Sequence, residues 1–238
     1  MTELLPRIIE AHGGIDCWNR HERVEATIAS GGGLFRLKGV PQDSTPRRMT
    51  VWLNEERSSV FPYGAPDQRR CSRERELPSK SSTAQLLRSG KPPETRLLAT
   101  RWTHLGSTSS SLFQRICHVD LSHDTFLLAL DGVRVEETEP WREGAETWRV
   151  LRAYFPGSIA THSDIQDFFF DKDLMLHRHD YSVNVAGGFA AAQLTSDYMV
   201  ANGIHLPTKR RAYARESDRR PILKMLMVSI DISEVRYE

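Results

Sequence analysis

The sequence predicts a mainly β fold of the α+β class: one strongly curved antiparallel sheet whose concave face is covered by an N-terminal and a central helix. Apolar residues recur at helical spacing only near the N-terminus and in the middle of the chain. From Val133 onward, strand-like segments follow one another with turn signals between them. No repeat or low-complexity linker divides the chain, so we expect residues 1–238 to form a single domain.

Residues 2–11 are predicted to form the first helix, because apolar side chains recur there every three or four residues. We expect this helix to end at Gly13 and Gly14, since glycine readily adopts the left-handed conformation that closes a helix. Residues 15–19 are predicted to add one more turn, with Trp18 as its buried anchor.

Most of the remaining chain is predicted to form strands. Asn202 and Gly203 are a strong hairpin signal, since both residues tolerate positive φ. A further turn is predicted at residues 140–144. The predicted strands cover residues 24–30, 34–40, 48–53, 133–138, 147–155, 162–170, 174–185, 191–200, 204–214 and 222–235.

The middle of the chain is predicted to contain an irregular region followed by a helix. Proline and glycine are frequent in residues 62–95, where a short helix is expected at most around residues 82–88. In residues 69–101 basic side chains outnumber acidic ones and aromatic ones are scarce, which favours a solvated loop or helix surface over a binding patch. Residues 108–130 combine helical spacing with a terminal apolar run and predict a helix that ends near Asp131.

Composition narrows the class of protein. A formal net charge of +1 over 238 residues gives no support for a nucleic-acid or anionic-membrane partner. The three cysteines are widely spaced and form no CxxC motif, which favours a reducing compartment. The N-terminal residues do not resemble a secretory signal, and no segment approaches the ~18 apolar residues of a membrane span. We therefore expect a soluble, cytosolic protein that does not insert into membranes, and the sequence leaves its oligomeric state open.

The segment from Tyr154 to Tyr181 is the predicted location of chemistry. Alternation along its second strand predicts one face formed by Met175, His177, His179, Tyr181, Val183 and Val185. An apolar face with imidazole and phenol groups suits the wall of a binding pocket. Arg178 and Asp180 fall on the opposite face, where we expect an exposed cross-strand salt bridge.

Acid–base chemistry is the main catalytic hypothesis for this segment. His162 and His179 would transfer protons, since an imidazole with a pKa near 6.5 acts in either direction. Tyr181 would donate to a substrate carbonyl oxygen, and Asp164 or Asp197 would orient a histidine. The alternative is that His179 and Tyr181 satisfy one another as structural groups.

Neither a metal nor a cofactor is predicted. His177 and His179 would lie about 7 Å apart on a strand, with His162 on the adjoining one, but no HExxH motif accompanies them. GxGxxG, P-loop and GxSxG motifs are also lacking. The candidate substrate contacts are Trp18, Trp102, Phe113, Phe126, Met175 and His177. For the tryptophans and phenylalanines among them, packing in the core is the favoured alternative.

Residue patterns over nearly the whole chain carry a family resemblance. They are Ala11-His12-Gly13-Gly14 with Trp18, Glu139-Pro140-Trp141 with Glu146-Thr147-Trp148, Phe155 to Ser163, Arg178-His179-Asp180-Tyr181, Ala186-Gly187-Gly188, Ser196-Asp197, and Gly203 with Pro207-Thr208 and Arg210-Arg211. Together they resemble the half-barrel superfamily of the lipoprotein carriers LolA and LolB, and most closely a group of largely uncharacterised bacterial proteins of similar length. The resemblance implies a curved sheet that wraps a hydrophobic cavity plugged by helices. It implies no catalytic residue, and without an export signal it does not imply lipoprotein transport.

Two functions follow as hypotheses. The first is an enzyme that binds a largely apolar substrate and catalyses a cofactor-free isomerisation, cyclisation or elimination, with secondary metabolism as a natural setting. The second is a non-catalytic carrier or sensor of a lipid-like molecule. A protein-interaction scaffold is a third alternative, and it predicts a filled core without a cavity.

Overall fold

The computed structural model describes residues 3–37, 44–62, 70–76, 124–159, 161–184 and 188–238. Within these ranges the helices are α1 (Leu4–Ala11), α2 (Ile15–Asn19), α3 (Gly33–Leu37) and α4 (Asp124–Leu127). The strands are β1 (Arg23–Gly31), β2 (Arg47–Trp52), β3 (Glu55–Phe61), β4 (Arg70–Glu76), β5 (Arg134–Glu143), β6 (Glu146–Tyr154), β7 (Ile165–Phe170), β8 (Leu176–Val183), β9 (Phe189–Ala201), β10 (Ile204–Arg215) and β11 (Pro221–Tyr237).

The described strands form one antiparallel sheet in the order β4-β3-β2-β1-β11-β10-β9-β8-β7-β6-β5. Most neighbours in the sheet are also neighbours in sequence, so hairpins make most of the connections. The exception is the pairing of β11 with β1, which places the last strand beside the first. β4 and β5 lie at the two edges of this sheet.

The sheet is bent, and several of its strands contain irregularities that bend them. Register shifts occur opposite Glu25 and Thr27 of β1 and opposite Ala212 and Tyr213 of β10, and in both places the extra residue lies in β11. A bulge of this kind increases the local twist and kinks the strand that carries it. The predicted fold class, a single curved antiparallel sheet with few helices, is therefore confirmed.

The helices pack on the concave face of the sheet, as the sequence predicts. The apolar stripe of α1 is fully buried and belongs to the same core as residues from the sheet. Trp18 of α2 stacks on Phe126 of α4, with 4.5 Å between ring centroids and an interplanar angle of 5°. The N-terminal helices and the end of the predicted central helix are thus joined by one aromatic contact.

Gly13 fixes the end of α1 against the β9–β10 hairpin. Its φ of +115° lies in the region predicted for a helix-closing glycine. The carbonyl oxygen of His12 accepts a hydrogen bond of 3.0 Å from the backbone N–H of His205. A Cβ on Gly13 would lie 2.3 Å from the carbonyl oxygen of Gly203, so the close approach of the two backbones requires glycine here.

The predicted strand at residues 34–40 is wrong over the part that the structure describes. Residues 33–37 form α3, which contacts β11. Leu34 and Phe35 are adjacent and both are buried, whereas in a strand adjacent side chains point to opposite faces. A helical turn places both of them against the core.

The edges of the sheet also differ from the prediction. Residues 70–76 pair with β3 as a strand, although we expected a loop or helix surface there. Their charged sequence is typical of edge strands, where charge discourages pairing with other chains. At the other edge, β5 continues through Pro140 to Glu143, because an edge strand tolerates a residue that lacks an N–H donor.

The predicted helices at residues 82–88 and 108–123 lie outside the described residues. In the described parts of the chain, no helix is both long enough and apolar enough to span a membrane.

Candidate functional site

Polar and aromatic side chains gather on the concave face where β7, β8 and β9 meet. All of them are buried, and we call them the inner polar cluster: His162, Gln166, His179, Tyr181 and Gln193. Alternation along β8 places His179 and Tyr181 on this face, as predicted, and register pairs His179 with Phe168 of β7 on one side and Gln193 of β9 on the other.

The rings of the inner polar cluster lie in direct contact. His162 stacks on Tyr181 with 4.2 Å between centroids and an angle of 12°. His179 stacks on Phe168 at 4.2 Å, and its centroid lies 4.7 Å from that of Tyr181. His162 reaches this position from the loop before β7, because the strand begins at Ile165 and not at residue 162 as predicted.

Hydrogen bonds to two glutamines hold the cluster in place. His179 Nε2 lies 2.5 Å from Gln166 Oε1, and Tyr181 donates its hydroxyl proton to Gln193 Oε1 at 3.1 Å. The amide nitrogen of Gln166 donates to the carbonyl oxygen of Ser163 at 2.7 Å, which leaves Oε1 as the acceptor toward His179. The Nε2 atom of His179 is therefore the protonated one in the neutral ring.

Burial lowers the pKa of His179 to about 3, and the positive charge of Arg210 contributes in the same direction while Asp167 opposes it. Arg210 is itself buried on the inner face, since it alternates with Arg211, which pairs with Asp231 at 2.7 Å on the outer side. The pKa of Tyr237 is raised well above its usual value by burial, and Arg210 opposes this shift. Arg210 and Tyr237 are not among the predicted site residues, although alternation along β10 places Arg210 inside with Leu206 and Ala212.

The two carboxylates expected to orient a histidine lie elsewhere. Asp164 has an exposed side chain, and its carbonyl oxygen accepts a hydrogen bond from the N–H of Phe155. Asp197 pairs with Lys209 at 2.6 Å, and both side chains are about half exposed. The side chain bound to His179 Nε2 is the amide of Gln166, which carries no charge.

The predicted substrate contacts that the structure describes do not lie together. Trp18 and Phe126 form the buried stack between α2 and α4. Met175 is half-buried in the turn before β8. Trp102 and Phe113 lie outside the described residues. In the described ranges, no three His, Cys, Asp or Glu side chains are grouped so that they could hold a metal ion.

His177 lies on the outer face of the sheet, so the prediction that it shares a face with His179 is wrong. A register shift between Phe169 and Phe170 interrupts the alternation of β8 next to this residue. The ring of His177 stacks on Trp148, 5.4 Å between centroids, and its Nε2 lies 3.0 Å from Asp171 Oδ2. Trp148 belongs to a small outer core with Val150 and Phe169.

Arg178 and Asp180 are buried, so the prediction of an exposed salt bridge is wrong. Arg178 Nε and Nη2 donate to the two carboxylate oxygens of Asp180 at 2.7 and 2.8 Å, along one strand and not across strands. The end of the β10–β11 hairpin covers this pair, since Arg215 Nη1 donates to Asp180 Oδ2 at 2.9 Å and Arg178 Nη2 donates to the carbonyl oxygen of Arg219. We call the group the outer ionic layer; its members are Arg152, Asp167, Arg178, Asp180, Arg215 and Arg219.

Comparisons with known proteins identify the fold. No protein-family model matches the sequence, and no curated protein matches it significantly. The structure is similar to that of a LolA superfamily protein from Nitrosomonas europaea, with a TM-score of 0.54 and 13% identity over 97% of this chain and 92% of that one. A DUF1329 family protein from Desulfovibrio piger aligns with a TM-score of 0.45 and 13% identity over 100% and 94% of the two chains. The first similarity shows a LolA-like fold and confirms the half-barrel expected from the resemblance.

Proposed function

We propose that this LolA-like half-barrel binds a hydrophobic small molecule on its concave face and acts as a carrier or sensor of it. The observation that carries the proposal is the inner polar cluster, in which hydrogen-bonding side chains are buried beside an extended apolar core. Small-molecule sites typically combine apolar walls with a few well-placed polar groups. The cluster would orient the polar end of the ligand while the surrounding core contacts its apolar part.

The charge state of the cluster favours binding over proton transfer. A general base is most effective when its pKa lies near the working pH. The pKa of His179, lowered to about 3, makes its ring a weak base, and the amide of Gln166 supplies no negative charge to strengthen it. Neutral hydrogen-bonding groups suit the recognition of a hydroxyl or carbonyl group on an otherwise apolar molecule.

Cofactor-free catalysis is the second candidate, and the contact of His162 with Tyr181 favours it. These rings stack 4.2 Å apart, and the hydroxyl of Tyr181 is held by Gln193. An imidazole and a phenol at this distance would provide a base and a donor for an isomerisation, cyclisation or elimination. In this reading the chain is an isomerase, cyclase or lyase of a biosynthetic route.

The first test is native mass spectrometry of the purified full-length chain. A carrier should retain a small molecule, and the apolar dye N-phenyl-1-naphthylamine should bind saturably and displace it. Absence of both a retained mass and saturable dye binding would contradict ligand binding on the concave face.

A pair of variants separates the two candidates. His162→Phe keeps an aromatic ring against Tyr181 but removes the imidazole nitrogens, and Val200→Ala on the exposed outer surface is its control. In a carrier, His162→Phe should change only the affinity for the retained molecule, which stays chemically unchanged as in the wild type, and Val200→Ala should change neither property. An enzyme should convert that molecule in the wild type and lose turnover, though not binding, in His162→Phe.

We also propose a cytosolic location. The three widely spaced cysteines support it, since Cys17 is free and buried within α2.

A further inference from the structure

We propose that a crevice on the outer face of the sheet is a second binding site, specific for a small carboxylate that carries a planar apolar group. The crevice lies between the β5–β6 turn and the β10–β11 hairpin and has a volume of about 510 Å³. This volume is within the usual range of small-molecule sites. The residues that matter for recognition are Trp141, Glu143, Arg178, Asp218, Arg220 and Leu223. The site is independent of the concave face, where the inner polar cluster lies.

Arg178 is the buried and rigidly held cation of this site. Its side chain is 1% exposed, yet the residue forms part of the lining of the crevice. Asp180 and the carbonyl oxygen of Arg219 fix its Nε and Nη2 atoms. The remaining nitrogen, Nη1, faces Glu143 Oε2 at 3.7 Å, which is beyond hydrogen-bonding distance. A rigid, desolvated guanidinium nitrogen of this kind favours an oxyanion more strongly than a mobile surface arginine does.

Glu143 indicates which chemical group the position accepts. Its Oε2 atom receives a hydrogen bond of 2.7 Å from the indole N–H of Trp141 and lies toward Arg178 Nη1. This carboxylate oxygen therefore accepts a hydrogen bond from the indole and lies 3.7 Å from a guanidinium nitrogen. Glu143 is 46% exposed and is the last residue of an edge strand, so its side chain can turn toward solvent. A ligand carboxylate would take its place between the same two donors.

The walls of the crevice select for a planar apolar group. The ring of Trp141 already receives the guanidinium groups of Arg178 and Arg219 at 5.1 and 5.4 Å from its centroid. Leu223 and Pro221 add apolar surface on the facing hairpin, where Leu223 is 66% exposed. A flat hydrocarbon ring would cover Leu223 while it packs beside the indole, and the hydrophobic effect favours that burial.

Charge limits the ligand to a single negative charge. The lining contains the arginines 142, 178 and 220 against the carboxylates of Glu143 and Asp218. Asp180, which pairs with Arg178, is paired with Arg215 as well, so an excess of positive charge remains and attracts an anion. The carboxylates of Glu143 and Asp218 disfavour a doubly charged phosphate ester. A monocarboxylate therefore fits this site better than a phosphate.

The test follows the indole N–H signal of Trp141 by ¹H–¹⁵N NMR of the full chain at pH 7, with Trp141→Phe used to assign it. Benzoate should shift this signal saturably, because it replaces the carboxylate bound to the indole. Benzyl alcohol, which has the ring without the charge, should not shift it. Phenyl phosphate should bind more weakly than benzoate.

Variants of surface residues test whether benzoate binds in this crevice. Glu143→Gln removes the internal competitor and should tighten benzoate binding about threefold or more, whereas Arg220→Gln should weaken it about threefold. Arg134→Gln, on the same strand but paired with Glu136 and outside the crevice, is the matched control and should change nothing. A shift that stays linear up to about 50 mM benzoate, well above a millimolar Kd, would overturn the proposal. So would tighter binding of phenyl phosphate, or equal weakening by Arg134→Gln and Arg220→Gln.

Discussion

The indole of Trp18 in α2 and the phenyl ring of Phe126 in α4 lie parallel, 4.5 Å apart, and join these two helices. Both rings are buried in the core that continues onto the concave face of the sheet. This contact connects two parts of the chain that are more than a hundred residues apart in sequence. This stack therefore holds α2 and α4 together within the core on the concave face.

Trp18→Ala should lower the free energy of unfolding by about 3–5 kcal/mol, because it leaves a large cavity against Phe126. A urea titration followed by circular dichroism measures the change. Trp52→Ala is the control, since Trp52 is half-buried and packs under the guanidinium of Arg57. Equal losses in the two variants would contradict the role assigned to the Trp18–Phe126 stack.

Asp180→Asn should destabilise the fold by about 3–5 kcal/mol, because it leaves the charge of Arg178 buried without its bidentate partner. Asp173→Asn provides the comparison. Asp173 pairs with Lys172 on an exposed turn, and its loss should leave the urea midpoint unchanged. If Asp180→Asn were as mild as Asp173→Asn, the outer ionic layer would not be a structural unit.

Stability should fall as the pH is lowered from about 6.5 toward 3. His179 has a pKa of about 3 in the folded protein, whereas in the unfolded chain an ordinary histidine binds a proton near pH 6.5. In that window the unfolded state binds more protons, so protonation favours unfolding, and at pH 7 the effect vanishes. The full loss attributable to this residue amounts to roughly 4–5 kcal/mol.

Unfolding free energies of the wild type and His179→Gln at pH 7, 5 and 4 test this dependence. The variant should start less stable, because it loses the contacts with Phe168 and Gln166, but its stability should fall less steeply with acid. Parallel curves for the two proteins would show that His179 is not the titrating group.

Gly13→Ala should destabilise the protein by about 2 kcal/mol or more. The φ of +115° strains any other residue, and the new Cβ would lie 2.3 Å from the carbonyl oxygen of Gly203. Gly188→Ala separates the two causes, because Gly188 also has a positive φ but no heavy atom within 4 Å of its added Cβ. Its cost should be about 1 kcal/mol. Thermal unfolding of both variants measures the loss of stability from clash and strain together at Gly13 and from strain alone at Gly188.

Local pattern was sufficient for much of the fold and part of the candidate site. The apolar spacing of residues 2–11 predicted α1, and Asn202-Gly203 predicted the turn between β9 and β10. Alternation along β8 predicted that His179 and Tyr181 share a face, and His162 does approach them. These features follow from helix and strand geometry, which repeats every few residues and is therefore readable in a single sequence.

Other features of the site depend on contacts between distant parts of the chain. A bulge opposite Phe169 and Phe170 moves His177 to the outer face, and no residue in its own segment signals that irregularity. Arg210 lies in β10 and His179 in β8. Arg210 is close enough to lower the pKa of His179 only because β9 pairs with both strands and holds them in one sheet. A pKa is set by burial and by charges in space, so it was not accessible from the order of residues.

The sequence by itself determined most of the helices and strands and, along regular strands, which side chains share a face, because these are properties of short stretches of backbone. Only the tertiary structure decided which polar residues are desolvated. Arg178 and Asp180 have the sequence pattern of an exposed pair, and they are buried because a hairpin about forty residues later folds over them. Burial of a charge depends on what covers it, and the covering residues come from elsewhere in the chain.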